Sequence, residues 1–229
     1  MRVKIKRQSD PQSTPYWQTF AYDGTREITV AALLDLLNYA DDPIDTEGNP
    51  APRIHWECSC MQKVCGACAM VINGRPSLAC NTFLGDILGD ELILEPLSKF
   101  PVVKDLIVDR RVIEDNLKRA RLYLGELDQF DQSLYQQQYT AAKCLKCGLC
   151  LEVCPNYPDG ESFFGALFAN KSFLAQSQSR DRKKELKKQY NTHFFAGCSK
   201  ALSCESVCPV GISTLSSMLT VSRFGKKRK

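Results

Sequence analysis

The run Lys143 to Pro155, KCLKCGLCLEVCP, constrains this chain more than any other stretch. It carries Cys144, Cys147, Cys150 and Cys154 at the spacing C-x2-C-x2-C-x3-C, with Pro155 directly after the last. Thiolate is the ligand iron–sulfur clusters use, and this spacing with its trailing proline is a known cluster-binding run. In that run the fourth Cys ligates a different cluster from the first three. The stretch therefore demands a partner run elsewhere in the chain.

The partner is Cys198 to Pro209, with Cys198, Cys204 and Cys208 followed by proline and one change: Ala201 stands where the middle Cys belongs. Under the exchange rule, Cys144, Cys147 and Cys150 take Cys208 as fourth ligand, a complete [4Fe–4S] set. Cys198 and Cys204 take Cys154, and no further thiolate is available for a fourth iron. That set is expected to hold [3Fe–4S]. Two independent zinc sites would explain neither the paired prolines nor the missing eighth thiolate.

A third group lies earlier. Cys60, Cys65, Cys68 and Cys80 read C-x4-C-x2-C-x11-C, the plant-type spacing for [2Fe–2S]. Gly66 sits where the loop must curl so that backbone N–H groups point at sulfur. A structural zinc site also accepts four thiolates, but zinc ribbons usually present two C-x2-C knuckles and this loop has one. Cys58 is left over and is expected to be a small buried hydrophobe.

Twelve Cys in 229 residues could be a disulfide framework in a secreted chain. The start, Met1 to Lys6, has no apolar stretch of the kind a secretory signal needs, so clustered thiols in a reducing compartment are expected to bind metal. The longest apolar run, Phe163 to Ala169, falls far short of the roughly 20 residues of a spanning helix, so the chain is not expected to cross a membrane by itself. Charge is uneven. Residues 1–105 carry 10 Lys/Arg against 14 Asp/Glu, and residues 106–229 carry 20 against 12. The basic half is either ordinary solvated surface or a face for an anionic membrane and a partner embedded in it. Aromatics do not interleave with the basic residues, so nucleic acid is not an expected partner.

The expected fold class is α+β, with an N-terminal β-grasp [2Fe–2S] domain over residues 1–105 and a helical two-cluster domain over residues 106–229. Val3 to Arg7 and Tyr16 to Tyr22 alternate as a hairpin's strands do, and Thr29 to Tyr39 has helical spacing ended by Asp41-Asp42-Pro43. Ala69 to Ile72, the turn Asn73-Gly74, Ser77 to Cys80 and Leu92 to Glu95 supply further strands. Residues 109–124, 129–142 and 163–176 suit helices. Ser179 to Tyr190, dense in Lys and Arg, reads as an exposed one. No Gly-rich dinucleotide fingerprint or P-loop is present, and His55 and His193 read as surface or capping residues. The chain has the parts of an electron carrier and no site for an organic substrate.

These features together resemble the iron–sulfur (B) subunit of succinate dehydrogenase and fumarate reductase across essentially the whole chain. The resemblance is carried by Thr14-Pro15-Tyr16-Trp17, Val64-Cys65-Gly66-Ala67-Cys68, Val71-Ile72-Asn73-Gly74-Arg75-Pro76, Phe100 to Leu106 with Val108-Asp109-Arg110, and the two later Cys runs. It implies a flavoprotein partner whose FAD oxidises succinate to fumarate in the tricarboxylic acid cycle. Electrons would pass through [2Fe–2S], [4Fe–4S] and [3Fe–4S] to a quinone at a membrane anchor subunit. It also implies peripheral attachment at the cytoplasmic face of a bacterial inner membrane. The reverse direction, quinol to fumarate, uses the same parts. A ferredoxin-like adaptor for another dehydrogenase is a third reading, disfavoured by the fused N-terminal domain.

The chain departs from many ubiquinone-reducing members. They carry a Trp pair shortly after the Cys matching Cys154 and a His after the Cys matching Cys198. Here the positions read Pro155-Asn156-Tyr157-Pro158 and Ser199. Pro155, Asn156, Tyr157 and Ser199 are the expected quinone-proximal residues. The pattern is more like members with a di-haem cytochrome b anchor and menaquinone.

Overall fold

A computed structural model of the chain describes residues 1–41, 43–129 and 131–224; Asp42, one of the expected helix-ending residues, lies outside them. The chain divides into two compact units, Met1–Asp109 and Arg110–Lys229.

The first unit is built on a five-stranded mixed sheet. Its strands are β1 (Arg2–Arg7), β2 (Tyr16–Ala21), β3 (Ala69–Ile72), β4 (Arg75–Leu78) and β5 (Glu91–Glu95), in the spatial order β2-β1-β5-β3-β4. β1 pairs antiparallel with β2 (Val3 opposite Phe20) and parallel with β5 (Val3 opposite Leu92). Helix α1 (Val30–Asn38) supplies Val30, Ala31, Leu33 and Leu34, all fully buried. Thr29 caps it by accepting the Ala32 N–H at 3.2 Å, one of the donors a helix start leaves unpaired. The β3–β4 turn is Asn73-Gly74, both at positive φ (46° and 73°), the left-handed pair that matches the strands' twist.

Strand alternation in β1 puts Val3, Ile5 and Arg7 on one buried face. A guanidinium there needs partners, because a buried unpaired charge is costly. Arg7 Nε donates to Asp105 Oδ1 at 3.0 Å and Nη2 to Asp105 Oδ2 at 3.2 Å. Nη1 reaches Gln18 Oε1, and Nη2 also reaches the carbonyls of Pro52 and Arg53. Asp105 further accepts the backbone N–H groups of Gln8 (3.1 Å) and His55 (2.9 Å), and His55 Nδ1 lies 3.0 Å from Oδ2. Burial pushes the Asp105 carboxyl upward; Arg7 and these N–H groups outweigh it and hold it below the usual carboxylate range. The carboxylate sits in the tight turn between β6 (Val102–Lys104) and β7 (Ile107–Val108), at φ 46°, which Asp tolerates better than most residues. This hairpin belongs to the first unit, which runs to Asp109, four residues past the expected 105. The ties beyond Asp105 are the β6–β7 pairing, the Leu106 N–H on the His55 carbonyl at 3.1 Å and the Asp109 N–H on the Pro101 carbonyl at 2.8 Å.

The second unit is helical: α2 (Arg111–Arg119), α3 (Tyr135–Ala142), α4 (Leu149–Glu152), α5 (Gly165–Gln178), α6 (Lys183–His193), α7 (Ser203–Ser206) and α8 (Thr214–Arg223). α5 is its axis. Leu167, Phe168, Ala169, Asn170, Ser172, Phe173 and Gln176 are all buried, as expected of a helix packed on all sides, and α3, α4, α6 and α8 pack on it. α2 is shorter than the 109–124 stretch suggested, because Arg121 adopts φ 48° and breaks the helical ladder. α6 corrects the expectation of a merely exposed basic helix. Leu186 (0%) and Tyr190 (1%) are buried, and Lys187 Nζ donates to the carbonyls of Val221 and Phe224 at the end of α8. Its lysines line one face while the other joins the core. Among the described residues no helix is long and apolar enough to cross a membrane.

Candidate metal centres

In the first unit the Cys loop is curled by three left-handed residues, Met61 (φ 54°), Lys63 (φ 61°) and Gly66 (φ 78°). The curl turns backbone donors inward onto sulfur. Cys60 Sγ accepts the N–H groups of Gln62 (3.3 Å) and Val64 (3.4 Å), Cys65 Sγ that of Ala67 (3.4 Å), and Cys68 Sγ that of Cys80 (3.5 Å). Cys80 lies on a short 3-10 turn, Ala79–Asn81, directly after β4, and the Ala79 N–H bonds the Cys68 carbonyl at 3.1 Å. The sheet thus returns the distant fourth thiol to the loop. The thiols of Cys60 and Cys65 interact, as do those of Cys68 and Cys80. The Gln62 and Val64 N–H groups bring the Cys60 thiol down to about 7. Burial pushes Cys68 up to about 12. A set with one ready anion and one buried thiol suits a metal, which displaces the proton of a coordinating thiol outright.

Cys58 is exposed, which corrects the expectation of a buried residue. The chain between Ile54 and the loop is held by Asn38, whose side chain bonds both the N–H and the carbonyl of Ile54, and beyond that tether Cys58 faces outward. Cys58→Ser is expected to leave the visible spectrum of the reconstituted cluster unchanged, whereas Cys60→Ser removes it. Loss of colour in Cys58→Ser would transfer the ligand role to that residue.

In the second unit the two Cys runs adopt the same local conformation. Lys146 (φ 52°) and Gly148 (φ 89°) flank Cys147, and α4 with Cys150 follows. Lys200 (φ 61°) and Leu202 (φ 58°) flank Ala201, and α7 with Cys204 follows. Ala201 therefore occupies the place in its loop that Cys147 occupies in the other. Two cavities lie between the runs. One is lined by Cys144, Cys147, Cys150, Cys204 and Cys208, with Leu145, Leu167, Val210 and Ile212 as apolar walls. The other is lined by Cys154, Cys198 and Cys204, with Ala201, Phe163, Phe194 and Met218. Burial pushes Cys147 up to about 11 and Cys150 well above its ordinary value. Arg110 Nη1 donates to the Cys147 carbonyl at 3.3 Å, and the Ile212 N–H donates to Cys208 Sγ at 3.3 Å.

Among the described residues no group of three or more His, Cys, Asp or Glu is gathered as ligands of a single metal ion. The thiols instead surround cavities, which is the arrangement a polynuclear cluster needs. Among the described residues the buried Tyr190 hydroxyl has no hydrogen-bond partner; burial raises its pKa and the nearby Cys198 raises it further.

Pro155, Asn156 and Ser199 line the three-thiol cavity, and Ser199 Oγ donates to Asn156 Oδ1 at 2.7 Å. Tyr157 is not with them: its ring is buried (1%) beneath the turn containing Gly160, so its side chain does not share their surface. His55 bonds Asp105, and His193 stacks on Phe164 at 4.1 Å; both are structural. Thr214 and Tyr190 were not legible as site residues, because nothing in the local sequence around either marks a cluster.

The sheet unit and the helical unit, each gathering thiols by metal-type spacing, define an iron–sulfur electron-transfer protein. Residues 2–115 match the 2Fe-2S iron-sulfur cluster binding domain and residues 140–212 the 4Fe-4S dicluster domain. The chain is 31% identical to the succinate dehydrogenase iron–sulfur subunit of Bacillus subtilis (97% of this chain, 91% of that one). It is 32% identical to the fumarate reductase iron–sulfur subunit of Escherichia coli (91% and 86%). It thus belongs to the succinate dehydrogenase/fumarate reductase iron–sulfur subunit family. A chain of the Mycobacterium smegmatis Sdh1 complex shares the fold, with TM-score 0.73 at 20% identity over 99% of this chain and 98% of that one.

Proposed function

We propose that the chain is the electron-transfer subunit of a succinate:quinone oxidoreductase. In this reading Cys60, Cys65, Cys68 and Cys80 hold [2Fe–2S]. Cys144, Cys147, Cys150 and Cys208 hold [4Fe–4S], and Cys154, Cys198 and Cys204 hold [3Fe–4S]. The observation that carries it is that Cys208 joins Cys144, Cys147 and Cys150 around one cavity while Cys154 joins Cys198 around the other, with Cys204 lining both and Ala201 at the vacated fourth-ligand place.

When bound, the clusters supply one-electron steps between a two-electron flavin donor and a two-electron quinone acceptor. The protein's own residues set the conditions. Loop N–H groups at Cys60, Cys65 and Cys208 stabilise negative charge on sulfur and raise the ease of reduction. The apolar walls of Leu145, Leu167, Val210 and Ile212 exclude water and keep the four-thiol site in a low-dielectric setting. Pro155, Asn156 and Ser199 form the quinone-facing rim of the three-thiol site.

In this reading the partners are a flavoprotein carrying FAD and a membrane anchor; Pro155-Asn156-Tyr157-Pro158 and Ser199, standing where ubiquinone-reducing members carry a Trp pair and a His, support an anchor of the di-haem cytochrome b kind with menaquinone as acceptor. The subunit lies peripherally at the cytoplasmic face of a bacterial inner membrane. Electron paramagnetic resonance of the purified complex tests the reading. The oxidised complex is expected to show a [3Fe–4S] signal, and succinate to elicit a [2Fe–2S] signal. Ala201→Cys should abolish the oxidised signal by completing a four-thiolate set and slow quinone reduction. An oxidised complex with no three-iron signal would remove the assignment at Cys154, Cys198 and Cys204. A silent response to succinate would remove the donor.

A further inference from the structure

Thr214 opens α8 and is buried (5%). Its Oγ1 lies 3.6 Å from Cys204 Sγ, within reach of a hydrogen bond to sulfur, and that contact is the hydroxyl's one hydrogen bond among the described residues. Thr214 and Cys204 each line both thiol cavities, so together they form part of the wall between them.

The hydroxyl is held there by its neighbours. Glu205 Oε1 accepts from Ser213 Oγ at 3.2 Å and from the Leu215 N–H at 2.6 Å, bracketing Thr214 on either side. Ser213 also caps the helix by accepting the Ser216 N–H at 3.1 Å. The carboxylate next to Cys204 in the chain thus fixes the start of α8 against the Cys204 turn.

Between a free thiol and a hydroxyl, either group can donate. A Cys204 sulfur bound to iron carries no proton, so the hydroxyl must then be the donor. Hydrogen bonds to an ionised acceptor are the stronger kind, and this one strengthens as the centre gains negative charge. It therefore favours the reduced state and raises the potential.

We infer that Thr214 is a positioning residue that sets the potential of the three-thiolate centre by donating a hydrogen bond to the Cys204 thiolate. The inference rests on the assignment of Cys204 to that centre. It gives the terminal cluster a higher affinity for the electron than the same ligands would have without the donor, and it places the device on the wall facing the preceding cluster.

The test is a redox titration of the intact membrane complex, following the oxidised three-iron signal and the reduced four-iron signal together. In Thr214→Val, which keeps the shape and loses the donor, the three-iron reduction equilibrium is expected to shift about tenfold toward the oxidised state, about 59 mV for a one-electron couple. The four-iron midpoint should stay in place, and Thr214→Ser should retain the wild-type value of both. Should Thr214→Val not assemble, Thr214→Ala against Thr214→Ser makes the same comparison. An unmoved three-iron midpoint overturns the inference, as does an equal shift of both clusters or a serine variant displaced as far as valine. Failure of the underlying assignment has a different signature: the wild-type oxidised complex lacks the three-iron signal altogether.

Discussion

Cys208→Ser is expected to abolish the four-iron cluster and to lower succinate-to-quinone electron transfer by more than about 100-fold, beyond what loss of a supporting residue around a metal costs. The argument is one of distance along the chain. Cys208 lies 58 positions after Cys150, yet both line one cavity, while Cys154, only four positions after Cys150, lines the other. The matching variant, Cys154→Ser, should remove the three-iron signal and spare the four-iron one. Iron and sulfide analysis with spectra of both reduced and oxidised variants reads the outcome. If Cys154→Ser lost the four-iron cluster and Cys208→Ser kept it, the two runs would each hold their own cluster and the crossed assignment would fail.

Asp105→Asn should cost the first unit about 3–5 kcal/mol, the usual penalty for removing one partner of a buried ion pair. That is a large part of the 5–15 kcal/mol by which domains are typically stable. The substitution keeps size and leaves Arg7 charged, enclosed and facing a neutral amide. The pH dependence carries a second expectation. The folded carboxyl titrates below its ordinary value, so its contribution is present above about pH 4, the unfolded value. It is lost as pH falls through the lower folded value, and the asparagine variant should lack that component. Urea unfolding of the full chain, followed by the bleaching of the [2Fe–2S] chromophore at pH 7 and at pH 4 and below, checks both. A variant within about 0.5 kcal/mol of wild type would mean that the pair contributes as little as an exposed one.

Much of the fold was readable because local rules sufficed. The β1–β2 hairpin followed from alternation, α1 from helical spacing and the Asn73-Gly74 turn from its need for positive φ. The misreadings share a cause. The basic run ending at Tyr190 reads as solvated because Lys and Arg dominate its composition, but two positions, Leu186 and Tyr190, bury one face of it while the lysines keep the other in solvent. Cys58 reads as a hydrophobe because free Cys usually is one, and only the path of the loop turns it outward. Residues past 105 join the first unit through the β6–β7 pairing and through the Leu106 and Asp109 N–H groups, which donate to the carbonyls of His55 and Pro101; none of these ties has a local sequence mark.

By itself the sequence determined the thiol inventory: which residues are thiols, their spacing in each loop, and the place where Ala201 leaves one out. Spacing within a dozen residues limits the chain to a few short-range curls, so those statements need no tertiary knowledge. The exchange rule also paired the distant thiols, and the structure places Cys208 with the first run and Cys154 with the second around two cavities. The tertiary structure alone set Thr214 beside Cys204, left the Tyr190 hydroxyl near Cys198 without a hydrogen-bond partner among the described residues, and enclosed Arg7 with Asp105. Those outcomes depend on how α5 and the sheet gather segments tens of residues apart. That gathering is driven by burial of apolar surface, which has no direction along the chain and leaves no local mark on the residues it brings together.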